Sequence, residues 1–136
     1  MAGTLTLRVV SPEKVQLETE VASLQFPGED GLFGVLPRHA PMLALTDSGL
    51  LRARTPRGET LEMIIHDGFA EVRGDTVTIL TRAAERPEEI DLERARQAAE
   101  RARELLRRGL SREEFDLVRA QAALRRALAR QRAARR

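Results

Sequence analysis

The chain contains no cysteine, tryptophan or tyrosine, and aromatic residues make up only 3% of it. Without thiols there can be no disulfide and no thiolate-held metal. Without large aromatics the core has to be built from Leu, Val, Ile and Ala, which contribute about 1.5–3 kcal/mol per fully buried large aliphatic side chain. Histidine is scarce too: only His39 and His66 occur, in no H-x-x-x-H spacing, so no metal site is expected. The patterns G-x-S-x-G, G-x-x-x-x-G-K-[ST] and G-x-G-x-x-G are all missing, and nothing singles out a catalytic nucleophile, so no enzyme active site is expected. Uncharged runs such as Gly31 to Pro37 and His39 to Thr46 fall far short of the roughly 20 residues a membrane helix needs. The opening MAGTLTLRVV lacks a basic segment followed by an apolar one, so no signal peptide is expected and the chain reads as soluble and cytoplasmic.

What is present is a chain of 136 residues, 42% hydrophobic, enough for one ordinary domain or a small domain with an appendage. The net charge of +2 conceals an asymmetry. Residues 1–87 carry 9 basic and 12 acidic side chains, a net of −3, whereas residues 88–136 carry 14 and 9, a net of +5. The last 20 residues hold seven arginines and no acid, and Lys14 is the only lysine in the chain. Halves so differently charged are expected to meet different partners.

Period-two alternation between turn signals predicts short strands at Thr4–Val10, Val15–Glu20, Ala22–Phe26, Gly34–Leu36, Met42–Leu45, Leu50–Arg54, Leu61–Ile65, Ala70–Arg73 and Thr76–Thr81. Ser11-Pro12, Pro27-Gly28, Asp30-Gly31, Pro56-Arg57-Gly58, Asp67-Gly68 and Gly74-Asp75 punctuate them. Many short, closely spaced strands imply an antiparallel sandwich or barrel. After Pro87 the period changes. Ala95, Ala98, Ala99, Ala102, Leu105 and Leu106 recur at three and four, the spacing of one helix face. Gly109 suits a helix C-terminus, Ser111 and Glu114 form a capping box, and Leu110 and Phe115 take its staple positions. A second apolar stripe follows through Leu117, Val118, Leu124, Ala127 and Leu128, and the final QRAARR is expected to fray. The fold class is therefore α+β: an N-terminal antiparallel β-sandwich over residues 1–87, then a two-helix antiparallel hairpin over 88–136.

Two groups of residues could carry function. In GEDGLFGVLPRHAPM, residues 28–42, glycines permit unusual backbone while Pro37 and Pro41 stiffen the chain around His39. That fits an ordered turn in which His39 bonds backbone groups, the commoner fate of such a histidine, and also a rigid loop presenting Glu29, Asp30 and Leu32 to a partner. The second group is a set of arginines. Arg94 and Arg101 lie seven apart on one helix face, and Arg126 and Arg130 lie four apart on another. An antiparallel hairpin could converge these four guanidinium groups on one anion, while Asp91 could accept hydrogen bonds from an adenine amino group or a ribose hydroxyl. Alternatively, Asp91 simply caps the helix and the arginines form its wet side. The residues alone leave both readings open.

Three stretches, GEDGLFGVLPRHAPM, GFAEVRGDTVTILTRAAER and EEIDLERA, resemble in order and spacing the epsilon-subunit family of bacterial F-type ATP synthases, over nearly the full chain. The resemblance implies a flattened β-sandwich followed by two antiparallel helices, in a non-catalytic central-stalk subunit of a complex coupling proton transport to ATP synthesis. It implies a sandwich that binds the gamma subunit and rests on the ring of c subunits, with Glu29, Asp30, Leu32, His39 and Met42 in the contacting region. Leu32 stands where some members have a contacting Glu, and His66-Asp67 stands where the family commonly has Ser-Gly.

For the hairpin, the resemblance implies inhibition of ATP hydrolysis when it extends towards the catalytic alpha and beta subunits, and release when it folds. In some members ATP binds the folded hairpin through I/L-D-x-x-R-A, which Ile90, Asp91, Arg94 and Ala95 match. Glu85, Arg101, Arg126 and Arg130 take the supporting positions. ATP would thus be a regulatory ligand, with no cofactor required and the subunit peripheral on the cytoplasmic face of the membrane. The competing expectation is a nucleic-acid-binding hairpin, since acid-free arginine runs bind phosphates. No aromatic side chains interleave those arginines as stacking platforms.

Overall fold

A computed structural model describes residues 3–108 and 114–134, in two compact units, 1–86 and 87–136. The first unit holds ten strands: β1 Leu5–Val10, β2 Val15–Val21, β3 Ser23–Gly28, β4 Gly31–Val35, β5 Met42–Thr46, β6 Gly49–Arg54, β7 Thr60–Ile65, β8 Gly68–Arg73, β9 Thr76–Thr81 and β10 Ala84–Glu85. They hydrogen-bond in the order β10-β7-β6-β3-β5-β8-β9-β1-β2, with β4 attached to β3. β3 joins the two halves of the sandwich, pairing with β6 through Ser23–Gln25 and with β5 at Gly28↔Thr46. Inward side chains from both halves form one core, including Leu5, Leu7, Val9, Phe26, Leu51, Ile65, Val72 and Ile79. Alternation drives this. In β1 Leu5, Leu7 and Val9 are buried while Thr6, Arg8 and Val10 are only half-buried.

Three differences from the sequence expectation have physical causes. The sandwich is not wholly antiparallel: β1 and β9 pair in parallel, Leu7 opposite Val77 and Val9 opposite Ile79. A parallel pair needs a long crossover, and here the whole intervening meander supplies it. β4 begins at Gly31, not Gly34, and Leu36 falls outside it. A two-residue turn, Glu29-Asp30, folds β4 back on β3 with Gly28 opposite Gly31, so pairing overrides the two glycines that read as loop. Gly31 takes φ 127°, where a side chain is strained, whereas Gly28 and Gly34 stay outside the positive-φ region. β10 escaped the pattern because two residues hold no period; it pairs with β7 as Ala84↔Ile65 and Glu85↔Ile64.

In the second unit a 3₁₀ turn, Pro87–Glu89, leads into α1, Leu92–Arg108, and α2 follows as Glu114–Ala134. Ala95, Ala99 and Ala102 of α1 and Ala120 and Ala127 of α2 are buried. Leu105 does not join them and is 53% exposed. At 3.6 residues per turn it lies about 90° from the line through Ala95, Ala99 and Ala102, whereas Leu106 lies on that line. Val118 is exposed as well. Gln131 to Ala134, expected to fray, are helical, and the Gln131 amide donates to the Ala95 carbonyl at 3.5 Å. That contact joins the end of α2 to the beginning of α1, so the helices run antiparallel. The predicted Gly109 terminus, the Ser111 cap and the Leu110–Phe115 staple lie outside the described residues and side chains. Among the described residues no helix is long and apolar enough to cross a membrane.

Candidate nucleotide site and partner-facing surfaces

α1 starts where it does because Asp91 caps it. The Asp91 carboxylate accepts the Arg94 backbone N–H at 3.0 Å, and the Asp91 carbonyl accepts the first helical bond, from Ala95 N–H, also at 3.0 Å. Ile90 precedes the cap, half-buried, its N–H donated to the Pro87 carbonyl. Ala95 is the first seam residue and is buried. The bland role for Asp91 is therefore real, and it leaves the arginine side chains to be explained.

Their ion pairs divide them. Arg96, Arg103 and Arg107 each meet a glutamate three residues earlier, Glu93, Glu100 and Glu104, at 3.8, 3.0 and 3.0 Å. Arg94 and Arg101 have no such neighbour: positions 91 and 98, three residues before each, hold the capping Asp91 and Ala98. Among the described residues, these two guanidinium groups are the α1 arginines without an ion pair, and both are exposed. They lie two turns apart on the same flank of the helix. On α2, Arg126 and Arg130 are half-buried one turn apart and engaged in interactions within the protein. The antiparallel register through Gln131 and Ala95 sets the Arg126–Arg130 turn of α2 level with the first half of α1. Glu85 belongs to the first unit, where it meets His66 at 3.4 Å.

On the sandwich, Glu29 and Asp30 form the exposed tip of the β3–β4 hairpin and Leu32, 67% exposed, stands beside them. The Glu29 N–H donated to the Leu45 carbonyl at 3.1 Å fastens that tip to β5. His39 sits in an ordered turn: its N–H reaches the Leu36 carbonyl at 3.2 Å, and its ring Nδ1 donates to the Ala40 carbonyl at 2.7 Å. Between them Arg38 takes φ 67°, a left-handed conformation, with its N–H donated to Asp75 Oδ1 at 3.0 Å. Pro37 then Arg38 with positive φ makes a type II turn in a place where sequence reasoning looks for Gly or Asn. Met42 packs against the core and pairs with Val72, so it is Leu43 beside it that points outward.

Sequence reasoning missed an apolar row on the outer face. Leu45, Phe69 and Leu80 are direct cross-strand neighbours on β5, β8 and β9, each about half exposed at 46%, 47% and 46%. Alternation of β8 could have revealed it, because Phe69 lies on the face occupied by Glu71 and Arg73. Among the described residues no cluster of three or more His, Asp or Glu could hold a metal.

A ten-stranded sandwich and a two-helix unit with an alanine seam define a two-part α+β chain. Residues 4–87 match the family described as ATP synthase, Delta/Epsilon chain, beta-sandwich domain, and residues 88–135 match its long alpha-helix domain. The chain belongs to the ATP synthase delta/epsilon chain family, whose epsilon chain is structural and regulatory and has no catalytic role of its own. The ATP synthase epsilon chain of Moorella thermoacetica is 44% identical over 135 residues, 97% of either chain. That of Syntrophobacter fumaroxidans is 48% identical over 131 residues, covering 96% of this chain and 95% of its own. In the cryo-EM structure of the Euglena gracilis mitochondrial ATP synthase, OSCP/F1/c-ring in rotational state 1, one chain superposes with a TM-score of 0.81 at 26% identity. The match covers 96% of this chain and 81% of that one.

Proposed function

We propose that the chain is a rotor subunit of a proton-coupled ATP synthase whose helical hairpin inhibits ATP hydrolysis and is held folded by ATP. The observation that carries the nucleotide reading is the division of the α1 arginines. Among the described side chains of α1, three are neutralised within the helix, and the two left unpaired, Arg94 and Arg101, are the pair that the motif Ile90-Asp91-x-x-Arg94-Ala95 and its supporting arginine assign to phosphate. An unpaired guanidinium binds phosphate oxygens without first giving up a carboxylate. Arg126 and Arg130 complete the set from α2 after exchanging their present partners for the triphosphate. Asp91 offers its carboxylate to the adenosine moiety while keeping its cap.

ATP that binds only the folded hairpin stabilises it by RT ln(1 + [ATP]/Kd), about 2.7 kcal/mol at a hundredfold excess over Kd. The alanine seam buries little area per residue, so an increment of that size decides between folded and extended forms. Calorimetric titration of the chain with millimolar ATP, without magnesium, tests the site. Heat of binding that disappears in Arg94→Ala and Arg126→Ala supports it, and no heat, or heat indifferent to both substitutions, removes it.

The partners follow from the two surfaces. The apolar row Leu45–Phe69–Leu80 suits an amphipathic helix, so we assign it to the gamma subunit. The rigid β3–β4 tip and the Leu36–Met42 turn suit the polar loops of the c ring. The acid-free stretch of α2 suits acidic segments of the catalytic beta and alpha subunits. Those contacts hold the chain against the cytoplasmic face of the membrane without entering it.

A further inference from the structure

Of the four buried polar side chains among the described residues, Ser11, Thr46, His66 and Thr81, three form a single knot centred on His66. His66, immediately after β7, is fully buried. Its N–H donates to Thr81 Oγ1 at 2.9 Å and its carbonyl accepts from Thr46 Oγ1 at 3.2 Å. Thr81 Oγ1 also lies 2.9 Å from the Ala83 carbonyl, the residue that leads into β10. The imidazole spans the rest: Nδ1 is 3.0 Å from Ser48 Oγ and Nε2 is 3.4 Å from Glu85 Oε1. A carboxylate can only accept, so Nε2 carries the proton that points at Glu85, and the Ser48 hydroxyl satisfies Nδ1.

Glu85 is the last residue of β10, a strand of two residues paired only with the end of β7. Two residues of ladder are too few to hold an edge strand by themselves. The boundary between the two units falls immediately afterwards, between Arg86 and Pro87. We propose that His66 is a positioning residue: held by Ser48, it clasps Glu85, keeps β10 on the sandwich, and so fixes the point at which the chain leaves the first unit. The proposal does not depend on nucleotide binding.

Hydrogen exchange of the full chain, followed by mass spectrometry over peptides covering residues 82–90, tests the clasp. Glu85→Ala and His66→Ala are each expected to speed exchange at Ala84 and Glu85 about tenfold, with β1 and β2 unchanged. Adding His66→Ala to Glu85→Ala should speed exchange at these two residues little further, since the His66–Glu85 contact is already gone. Glu85→Gln keeps an acceptor for Nε2 and should restore exchange close to the original. If His66→Ala loosens the whole sandwich, Glu85→Ala decides. The clasp is overturned if Glu85→Ala leaves exchange at residues 84–85 within twofold of the original. It is equally overturned if ¹⁵N chemical shifts place the His66 proton on Nδ1 with Nε2 bare.

Discussion

The Asp91 carboxylate accepts the backbone N–H of Arg94 at 3.0 Å, so the two polar residues of the proposed nucleotide motif are joined by a helix cap while the Arg94 side chain stays unpaired. The two roles of Asp91 can be separated. Asn caps about as well as Asp, whereas Ala at such a position costs about 1 kcal/mol. Asp91→Ala should lower the stability of the helical unit by about that amount, and Asp91→Asn should not, as read by thermal unfolding. If Asp91 also contacts the ligand, Asp91→Asn weakens ATP binding while leaving unfolding unchanged.

Gly68 should be irreplaceable for a steric reason. A Cβ built there would lie 1.9 Å from the Leu80 carbonyl oxygen on β9. Backbone cannot yield as a side chain can, so Gly68→Ala should cost about 3 kcal/mol, at the upper end for overpacking. Urea unfolding measures it, with the neighbouring exposed Phe69→Ala as a control that should cost far less.

Phe69 lies at the centre of the apolar row, with Leu45 on one side and Leu80 on the other. Phe69→Glu should leave the fold intact, because the side chain faces outward, and weaken binding to the gamma subunit by about 2 kcal/mol, as central anchors do. Co-sedimentation or calorimetry with the gamma subunit provides the measurement.

Thr4 and Thr6 donate hydrogen bonds to the Glu20 carboxylate and hold its pKa below the ordinary value, against a small opposing effect of desolvation. A depressed carboxylate contributes stability that is present above its unfolded pKa and lost as pH falls through the folded one. Thr4→Val with Thr6→Val should bring the Glu20 titration back to the ordinary range in an NMR series and remove that acid dependence. At neutral pH the loss is the two hydrogen bonds themselves.

Much of this was legible in the sequence because the signals were local. Eight strands and the far end of β4 announced themselves through alternation and turn residues, and Asp91 announced its helix. What escaped depended on partners distant in the chain. β10 exists because Ile64 and Ile65 are there to pair with it, and β1 lies parallel to β9 only once the meander between them has folded. Leu105 fitted the three-and-four spacing yet stands a quarter turn off the seam, because a stripe drawn through six residues is wider than the contact between two alanine-lined helices. The arginines were identifiable as a set, but not which of them were unpaired. That depends on a glutamate three residues before each, visible in the sequence and decisive only when the pairs are seen to form. His66 follows a strand and matches no motif of its own, and its contacts with Ser48 and Glu85 needed coordinates.

The central claim, that ATP holds the hairpin folded and thereby releases hydrolysis, is tested most directly by the ATPase activity of the catalytic complex with and without this chain across ATP concentrations. The account predicts strong inhibition at low ATP that fades as ATP rises, and inhibition persisting to high ATP when the chain carries Arg94→Ala with Arg101→Ala. Inhibition of equal depth at every ATP concentration, or a fade that survives both substitutions, would contradict it.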